Sequence, residues 1–433
     1  MPLDRCPYFT FAYLSSERRF SLRRLTLALA VAFVVTPLLS ALEERHDRHG
    51  LPETKAKLAV GGTFRVAYLG GSITASPGWR TLTTAFLQKA YPQAEIIEIP
   101  AGLPGTGSDL GVSRLEFDVL QKKPDLLFVE FAVNDHSTSP AQIERTMEGI
   151  VRQTWRHLPK TDICFVYTVS NPGLPSLQAG RYPPSAQAME AVAAHYGIPS
   201  LHFGVDIARR VDEGTLVFKE DIVRPGLTFS TDGVHPSPTG HELYAQTLQR
   251  AWPHFLLQAS QRPTPLPPPL HADNWEFARQ LKIEPTMQQG NWTTVPMDDP
   301  SLRGTTRHLL PTVWRTEQPT SALEFTMTGS TLGLLGIAAP DSGEFEVIVD
   351  DRAPVIATFF DHYVTPTFCR QRAWFYPEPL SEGSHRVRVA LTARSIDKHA
   401  IKNRAGKELD DPAPYAPQRL TLCSILLRSS TPP

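Results

Sequence analysis

A cluster of five prolines within the seven residues Pro263–Pro269 divides the chain into two parts. Proline fixes its own φ angle and has no backbone N–H, so neither a helix nor a sheet strand continues through such a run. Each flank is long enough to bury a core of its own. We therefore predict a proline-rich linker over residues 258–270, a first domain over residues 58–257 and a second over residues 271–433.

The first domain alternates short β-rich runs with longer helical patterns. The predicted strands are Phe64–Leu69, Ala94–Ile99, Asp125–Phe131, Asp162–Val169 and Ser200–Phe203. The predicted helices are Trp79–Ala90, Leu110–Gln121, Gln142–His157, Ser185–Tyr196, Val205–Val211 and Thr239–Leu257. An apolar run without alternation, such as Leu126–Val129, is typical of a strand covered on both faces. The pattern predicts a parallel sheet flanked by helices.

The second domain has few helical periods and many β signals. Its predicted strands are Ala322–Met327, Leu332–Ile337, Phe345–Val349, Val355–Phe360, His385–Leu391 and Leu420–Leu426. Turn-forming residues separate them, as in Pro340–Gly343 and Glu382–Ser384. We predict a β-sandwich or jelly roll for this half of the chain.

The N-terminal segment is predicted to be a targeting sequence rather than part of either domain. Two arginine pairs, Arg18-Arg19 and Arg23-Arg24, precede an apolar run that ends near Leu42 and is followed by charged residues. Export machinery reads this order of cationic, apolar and polar segments. We expect residues 1–42 to be a signal peptide or an uncleaved anchor. The expected location is outside the cell or in the periplasm or cell envelope, with membrane association only if the segment stays uncleaved.

Composition excludes several classes of partner. The chain has 43 Lys and Arg against 44 Asp and Glu, so no large basic field attracts nucleic acid. Cys369 and Cys423 could form a disulfide bond in an oxidising compartment. The apolar neighbours of Cys164 predict a buried residue instead. No cysteine and histidine spacing suggests a zinc site, and we predict no cofactor and no metal.

Three segments after predicted strands carry residues suited to acyl transfer. Gly70-Gly71-Ser72 ends the first strand, where two glycines permit a tight turn that presents a serine. Gly105, beyond the second strand, can bring a backbone N–H close to a substrate, and Asn134, beyond the third, can donate its amide to an oxyanion. The alternatives are a helix-capping serine, a flexible loop and an Asx-turn.

A fourth segment supplies an acid and a base. Asp232 precedes His235 by three residues, in a turn stiffened by Pro236. A serine is a poor nucleophile until a base takes its proton, and that base needs a partner to fix its tautomer. A turn carboxylate and a surface histidine are the alternative interpretation.

Together these segments resemble the SGNH (GDSL-like) hydrolase superfamily. Gly70–Thr74 is similar to the family's first block, Gly105 matches its second-block glycine and Asn134 its third-block asparagine. Asp232 and His235 match the final Asp-x-x-His block. The resemblance covers residues 64–257 and implies a flavodoxin-like three-layer α/β/α sandwich.

The resemblance also implies a role for each matching residue. Ser72 is expected to be the nucleophile, His235 the general base and then acid, and Asp232 its orienting partner. The backbone N–H groups of Ser72 and Gly105 and the side-chain amide of Asn134 are expected to form the oxyanion hole.

One position departs from the family pattern, because Gly71 stands where many members carry aspartate. This weakens any assignment to the secreted lipase branch. No long apolar lid is visible in the sequence, which argues against long acyl chains. We therefore predict a serine esterase that removes O-acyl groups, and O-acetyl groups in particular, from a polysaccharide through an acyl-enzyme. The expected partner is an acylated carbohydrate or another small ester.

The sequence is also compatible with two other functions. The same machinery also suits a lysophospholipase or thioesterase, and the β half suits a non-catalytic glycan-binding protein. Trp374-Phe375-Tyr376 either stacks on sugar rings or belongs to a core. Asp135-His136 and Asp361-His362-Tyr363 are candidate metal ligands that we read instead as solvated loop residues.

Overall fold

The computed structural model describes residues 42–260, 265–409 and 411–432, so most of the predicted leader lies outside the described residues. Below, residues 42–260 are called the α/β domain and residues 265–432 the β domain. These described residues form one compact unit. No helix in the described ranges is both long enough and apolar enough to cross a bilayer.

The α/β domain contains eight strands and nine helices within its described residues. The strands are β1 (Arg45–His46), β2 (Gly62–Gly70), β3 (Ala94–Gly102), β4 (Leu126–Glu130), β5 (Asp162–Tyr167), β6 (Ser200–His202), β7 (Val217–Lys219) and β8 (Thr228–Ser230). The helices are α1 (Pro52–Val60), α2 (Ser72–Ala75), α3 (Trp79–Ala90), α4 (Ser108–Asp118), α5 (Pro140–His157), α6 (Leu174–Gln178), α7 (Pro184–Tyr196), α8 (Phe203–Asp212) and α9 (Pro238–Leu257).

The central sheet has the order β1-β6-β5-β4-β2-β3. Strands β2 to β6 are parallel, and β1 is an antiparallel edge strand. The parallel part of the sheet starts with β2, continues to β3 at one edge, and then returns past β2 to β4 and beyond. Because the order reverses around β2, the connections after β2, β3 and β4 gather at the same carboxyl edge.

Side-chain alternation in β2 explains why both faces of the sheet are covered. Phe64, Val66 and Tyr68 point to a core that includes α1, α3, α8 and α9. Ala67 and Leu69 point to a second core formed with α4, α5 and α7. The predicted three-layer α/β/α arrangement is thereby confirmed.

The β domain contains eleven strands and one helix within its described residues. The strands are β9 (Ala278–Lys282), β10 (Gln288–Gln289), β11 (Thr293–Thr294), β12 (Trp314–Thr316), β13 (Ala322–Gly329), β14 (Thr331–Ala338), β15 (Glu344–Val349), β16 (Val355–Thr358), β17 (Arg370–Phe375), β18 (Gly383–Leu391) and β19 (Leu420–Arg428). The helix is α10 (Lys398–Asn403).

These strands form two antiparallel sheets that face each other. One has the order β10-β13-β18-β15-β16, and the other β11-β12-β19-β14-β17, with β9 also paired to β19. Leu323 and Val347 of the first sheet share a buried cluster with Leu334 and Ile425 of the second. The predicted β-sandwich is confirmed.

Several elements were not predicted from the sequence. Within the α/β domain, β1 pairs with β6 and α1 precedes β2, so both lie before or across the expected domain start at residue 58. In the β domain, Arg370–Phe375 forms β17 although its sequence places two arginines among three apolar residues. These arginines obscure the alternation on which strand prediction relies.

The two domains share a buried apolar junction. Leu103 and Leu110 of the α/β domain cluster with Val313, Ile337 and other residues of the β domain. On a neighbouring face, Trp275 packs edge-on against Phe375 and belongs to the core beneath α5. The proline-rich segment therefore does not leave the β domain free to move as a tethered module.

A buried carboxylate fixes the end of the linker to α5. Glu148 is inaccessible to solvent and accepts hydrogen bonds from the backbone N–H groups of Leu270 (2.6 Å) and His271 (2.9 Å). It also accepts one from the Tyr196 hydroxyl, at 2.6 Å. Arg152 pairs with Glu276 a short distance along the same helix, at 2.7 Å.

We predict that Glu148→Gln destabilises the protein by about 1–3 kcal/mol, because an amide has one acceptor oxygen for the three donors that now bond the two oxygens of a buried carboxylate. Urea unfolding checks this. Glu144→Gln is the matched control, since Glu144 pairs with His271 on the partly exposed side of the same helix, where the loss should stay below about 1 kcal/mol. Equal effects of the two substitutions would contradict the proposed anchoring.

Candidate active site

Ser72 is presented by the sharp turn that joins β2 to α2. The strand ends at Gly70, and the helix begins at Ser72 itself. Backbone N–H groups in the first turn of a helix have no acceptor within the helix, so the Ser72 N–H is available to a ligand. The turn thus brings a hydroxyl and a free N–H to the carboxyl edge of the sheet.

Two buried side chains hold the peptide group that precedes Ser72. The Gly70 carbonyl accepts hydrogen bonds from the Leu103 N–H (2.9 Å) and from Nη2 of Arg114 (3.3 Å). The Gly71 N–H donates to the carboxyl group of Glu130, which is fully buried at the end of β4. Both ends of the Gly70–Gly71 peptide are therefore fixed by side chains of opposite formal charge.

Glu130 also organises the neighbouring elements. It accepts hydrogen bonds from the hydroxyls of Thr74 (2.8 Å) in α2 and Thr168 (2.6 Å) after β5. Burial raises the pKa of Glu130, although these hydrogen bonds act in the opposite direction. Sequence reasoning missed Glu130 as part of the site, because nothing in an apolar strand indicates which turn a buried side chain will reach.

Asn134 lies directly over Gly71. A Cβ atom built on Gly71 would be 2.6 Å from Cγ and 2.9 Å from Nδ2 of Asn134, well inside the contact limit. Aspartate, which many family members carry at this position, therefore does not fit here while Asn134 keeps its place. The departure noted in the sequence is a packing requirement of this site.

Gly105 completes the same rim. Its φ angle of +69° lies in the left-handed region, which a glycine adopts without strain. The loop around it is tied back by the Thr106 hydroxyl, which donates to the Leu103 carbonyl at 2.8 Å. Gly105 itself is exposed and lines the same cleft as Ser72 and Asn134.

The serine and the histidine meet at hydrogen-bonding distance. His235 Nε2 lies 2.8 Å from Ser72 Oγ, and His235 Nδ1 lies 2.6 Å from Oδ2 of Asp232. The structure thus brings together all five residues predicted from the sequence: Ser72, Gly105, Asn134, Asp232 and His235. The arrangement is that of a nucleophile, a base and a carboxylate that orients the base.

Asp232 is held by the backbone of its own turn. Its Oδ1 accepts from the N–H groups of Val234 and His235, both at 2.8 Å, and from the Ser230 hydroxyl at 3.1 Å. Burial favours a higher pKa, but the hydrogen bonds from the His235 ring and from these N–H groups outweigh it and hold the pKa of Asp232 well below its usual value. The carboxylate stays ionised beside the imidazole.

The site opens into a cleft of about 590 Å³ that both domains line. Roughly half of the Asp232 and His235 side chains is exposed, 52% and 49% respectively. Opposite Ser72, the β domain contributes Tyr363, Phe368 and Arg370. The two domains therefore share one cleft, which the sequence alone did not predict.

Asp135 ties Asn134 to the loop that carries Gly105. Its Oδ1 accepts from the Ser108 N–H, at 3.1 Å, at the start of α4. Burial, with the nearby carboxyl groups of Asp109 and Glu130, raises the pKa of Asp135 to about 7, although hydrogen bonds from Ser108 oppose this. The interpretation of Asp135 as a solvated loop residue was wrong, because its side chain is buried.

The other candidates take different places from those expected. Asp361 is also buried rather than solvated, and it pairs with Arg370. Trp374 packs edge-on against Phe345 inside the sandwich, and Phe375 packs on Trp275 at the domain junction. The stacking alternative for these aromatic residues was wrong, and the exposed aromatic side chains of the cleft are Tyr363 and Phe368.

Cysteines and metal ligands do not extend the site. Cys164, Cys369 and Cys423 are buried free thiols, so the option of a pair between the last two is not realised. Burial raises the pKa of the Cys369 thiol to about 12. Within the described residues, no group of three His, Cys, Asp or Glu side chains is placed to hold a metal ion.

Comparisons with known proteins agree with this geometry. Residues 68–243 match the model of the GDSL-like Lipase/Acylhydrolase family. The crystal structure of a two-domain esterase active on acetylated mannans, co-crystallized with mannopentaose, is similar over 89% of this chain and 96% of its own, with 22% identity and a TM-score of 0.67. A second crystal structure of such an esterase covers 89% of this chain and 98% of its own, with 21% identity and a TM-score of 0.69.

A catalytic mutant of an acetylxylan esterase from Geobacillus stearothermophilus matches 44% of this chain at 18% identity, with a TM-score of 0.35. No curated protein matches the chain. The likeness to the two-domain esterases shows that the two-domain fold is shared. The family match lies within the α/β domain, where it confirms the resemblance inferred from the sequence and supports an ester-hydrolysing enzyme.

We predict that Gly71→Ala lowers kcat by about 10²- to 10³-fold, the cost of losing one oxyanion donor, because the added methyl displaces the Asn134 amide. Steady-state kinetics on p-nitrophenyl acetate measures it. Asn134→Ala should cost a similar factor. In that background Gly71→Ala should cost little more, since the space it needs is empty. Additive losses would contradict displacement of Asn134.

Asp135 gives a pH-dependent prediction. Between its ordinary pKa of 3.8 and its native value of about 7, the native protein keeps a proton that the unfolded chain has lost. This term therefore reduces the free energy of unfolding as pH rises from about 4 to about 7. Asp135→Asn removes this pH dependence. Its free energy of unfolding should therefore rise by up to about 4 kcal/mol relative to that of the parent across that interval.

Denaturant unfolding of Asp135→Asn and of the parent at several pH values checks this. Asp351→Asn, which changes an exposed carboxylate of the β domain, should run parallel to the parent at every pH. A parallel curve for Asp135→Asn as well would show that Asp135 does not hold its proton in the native state.

Proposed function

We propose that the protein removes O-acetyl groups from a polysaccharide, outside the cytoplasm, through an acyl-enzyme formed on Ser72. The observation that carries this proposal is the 2.8 Å contact between Ser72 Oγ and His235 Nε2 in a cleft that exposed aromatic side chains also line. The cited likenesses to esterases active on acetylated mannans support the substrate class.

The proposed reaction begins when His235 Nε2 takes the proton of Ser72 Oγ as this oxygen attacks the ester carbonyl. The bond from Oγ to the acyl carbon forms, and the carbonyl oxygen becomes an oxyanion. The N–H groups of Ser72 and Gly105 and the amide of Asn134 stabilise its charge. The tetrahedral intermediate then collapses: the bond between the acyl carbon and the sugar oxygen breaks, and His235 gives its proton to that oxygen, which leaves as the sugar hydroxyl.

Water completes the cycle in the same proposed arrangement. His235 deprotonates a water molecule, which attacks the acetyl carbon and releases acetate together with Ser72. Asp232 stabilises the imidazolium that forms in each half-reaction. Since its carboxylate has a pKa held well below the usual value, it remains charged throughout.

The shape of the cleft supports a short acyl group on a large alcohol. Of the residues that line it, only Ser72 lies in a helix, so no apolar helical lid encloses a long chain. Phe368 is 39% exposed and offers an aromatic surface for the apolar face of a pyranose ring, whereas the Tyr363 ring, 50% exposed, already has Arg370 and Lys407 over it. Export is supported by the order of charged and apolar residues before Leu42, and the N-terminus of the protein recovered from the medium or periplasm tests it.

We predict that acetate is released from acetylated polysaccharides and that Ser72→Ala abolishes release, reducing kcat by about 10⁶-fold. Free acetate is measured over a panel of acetylated glycans, and p-nitrophenyl acetate is compared with the octanoyl ester. Acetyl esters should be preferred. Preference for octanoyl would favour a lysophospholipase or thioesterase, and glycan binding without hydrolysis at any pH would favour a binding protein.

A further inference from the structure

Arg370, the first residue of β17, lies against the loop that carries Gly105. A Cβ atom built on Gly105 would overlap Nη1 of Arg370 and would lie 3.5 Å from its Cζ. The guanidinium therefore covers the α-carbon of an otherwise exposed glycine of the other domain. Arg370 also lines the cleft together with Ser72, Asn134 and His235.

The guanidinium is fixed in orientation before any ligand arrives. Its Nε and Nη2 lie 2.8 Å and 2.6 Å from Oδ2 of Asp361, and its Cζ lies 5.0 Å from the centre of the Tyr363 ring. Its side chain is only 18% exposed. In the described part of the chain no acceptor bonds Nη1, the nitrogen that faces Gly105.

The segment that carries these groups is anchored at both ends. Asp361 accepts a hydrogen bond from the Tyr363 N–H at 2.9 Å, and the Cys369 N–H donates to the Arg303 carbonyl at 2.6 Å. Arg372, two residues further along β17, donates to the carbonyls of Phe359 and Phe360, both at 3.1 Å. The β domain thus presents the Arg370 head group on a rigid support.

The ion pair between Arg370 and Asp361 is oriented relative to Gly105. Asp361 lies on the Nε and Nη2 side, so the Arg370–Asp361 pair is a dipole whose positive end points to Gly105. The Gly105 N–H is one of the three proposed oxyanion donors. Preorganised positive charge beside a developing oxyanion lowers the transition state more than the ground state.

We propose that Arg370 is a positioning residue of the esterase centre, supplied by the β domain. It braces Gly105 so that the N–H of this residue meets the oxyanion, and its cationic end adds to the field there. This inference rests on the proposed function and assigns to the β domain a part in the chemical step, separate from any contact with the glycan.

The test separates the chemical step from glycan binding by using an ester that has no sugar. Arg370→Met should reduce kcat on p-nitrophenyl acetate about tenfold or more and leave KM within about twofold. Arg370→Lys should recover little, because a single ammonium group does not both pair with Asp361 and cover Gly105. Arg370→Ala should regain part of its kcat when millimolar guanidinium is added.

Arg394→Met is the matched control. Arg394 also pairs with a carboxylate of the β domain, Glu344, but it is 65% exposed and does not line the cleft, so its kinetics should equal those of the parent. Thermal unfolding of each variant identifies losses due to misfolding, and guanidinium rescue distinguishes local from global effects.

Unchanged kcat of Arg370→Met on p-nitrophenyl acetate, with a higher KM on acetylated oligosaccharides, would overturn the proposal and leave Arg370 with glycan binding alone. Loss of activity in Arg370→Ala that guanidinium does not restore would also overturn it. The parent and Ser72→Ala are assayed in parallel. Hydrolysis that does not depend on Ser72 would refute the proposed function instead.

Discussion

The contact between Ser72 Oγ and His235 Nε2 joins residues that are 163 positions apart, and the site depends on it. It exists because β2 lies beside the edge strand β3, at the point where the strand order reverses, and because the turn before α9 returns to the same edge of the sheet. That turn is fixed from outside, since the Asn171 N–H donates to the Gly233 carbonyl at 2.7 Å. The order of strands therefore determines whether the nucleophile has a base.

The strand and helix alternation of residues 64–257 was sufficient to predict the parallel sheet, and four short motifs were sufficient to bring its five site residues together. These features are local or follow from strand order, so a linear pattern records them. The contribution of the β domain to the cleft was not predictable, because Tyr363, Phe368 and Arg370 lie in a loop and an arginine-containing strand with no alternation. For the same reason the sequence left open whether Trp374–Tyr376 stacks on sugar rings or belongs to a core.

Polar groups placed deep in the fold explain how a tight glycine turn keeps its shape. Glu130 and Arg114 are fully or almost fully buried, and burial of such groups is costly unless hydrogen bonds compensate it. Both bond the peptide group between Gly70 and Gly71: Arg114 donates to its carbonyl, and Glu130 accepts from its N–H. Glycine is required at position 71 because the Asn134 amide occupies the space that a side chain would need.

The anchoring of the linker end on Glu148 has a consequence for how this enzyme meets a polymer. An accessory domain on a flexible tether raises the effective concentration of substrate near the catalytic domain and leaves the two encounters separate in time. Here the second domain has no such reach, because buried contacts hold it along α5 and at the cleft. Under the proposed function, a glycan chain that enters the cleft contacts both domains in a single event, and it leaves both when it dissociates.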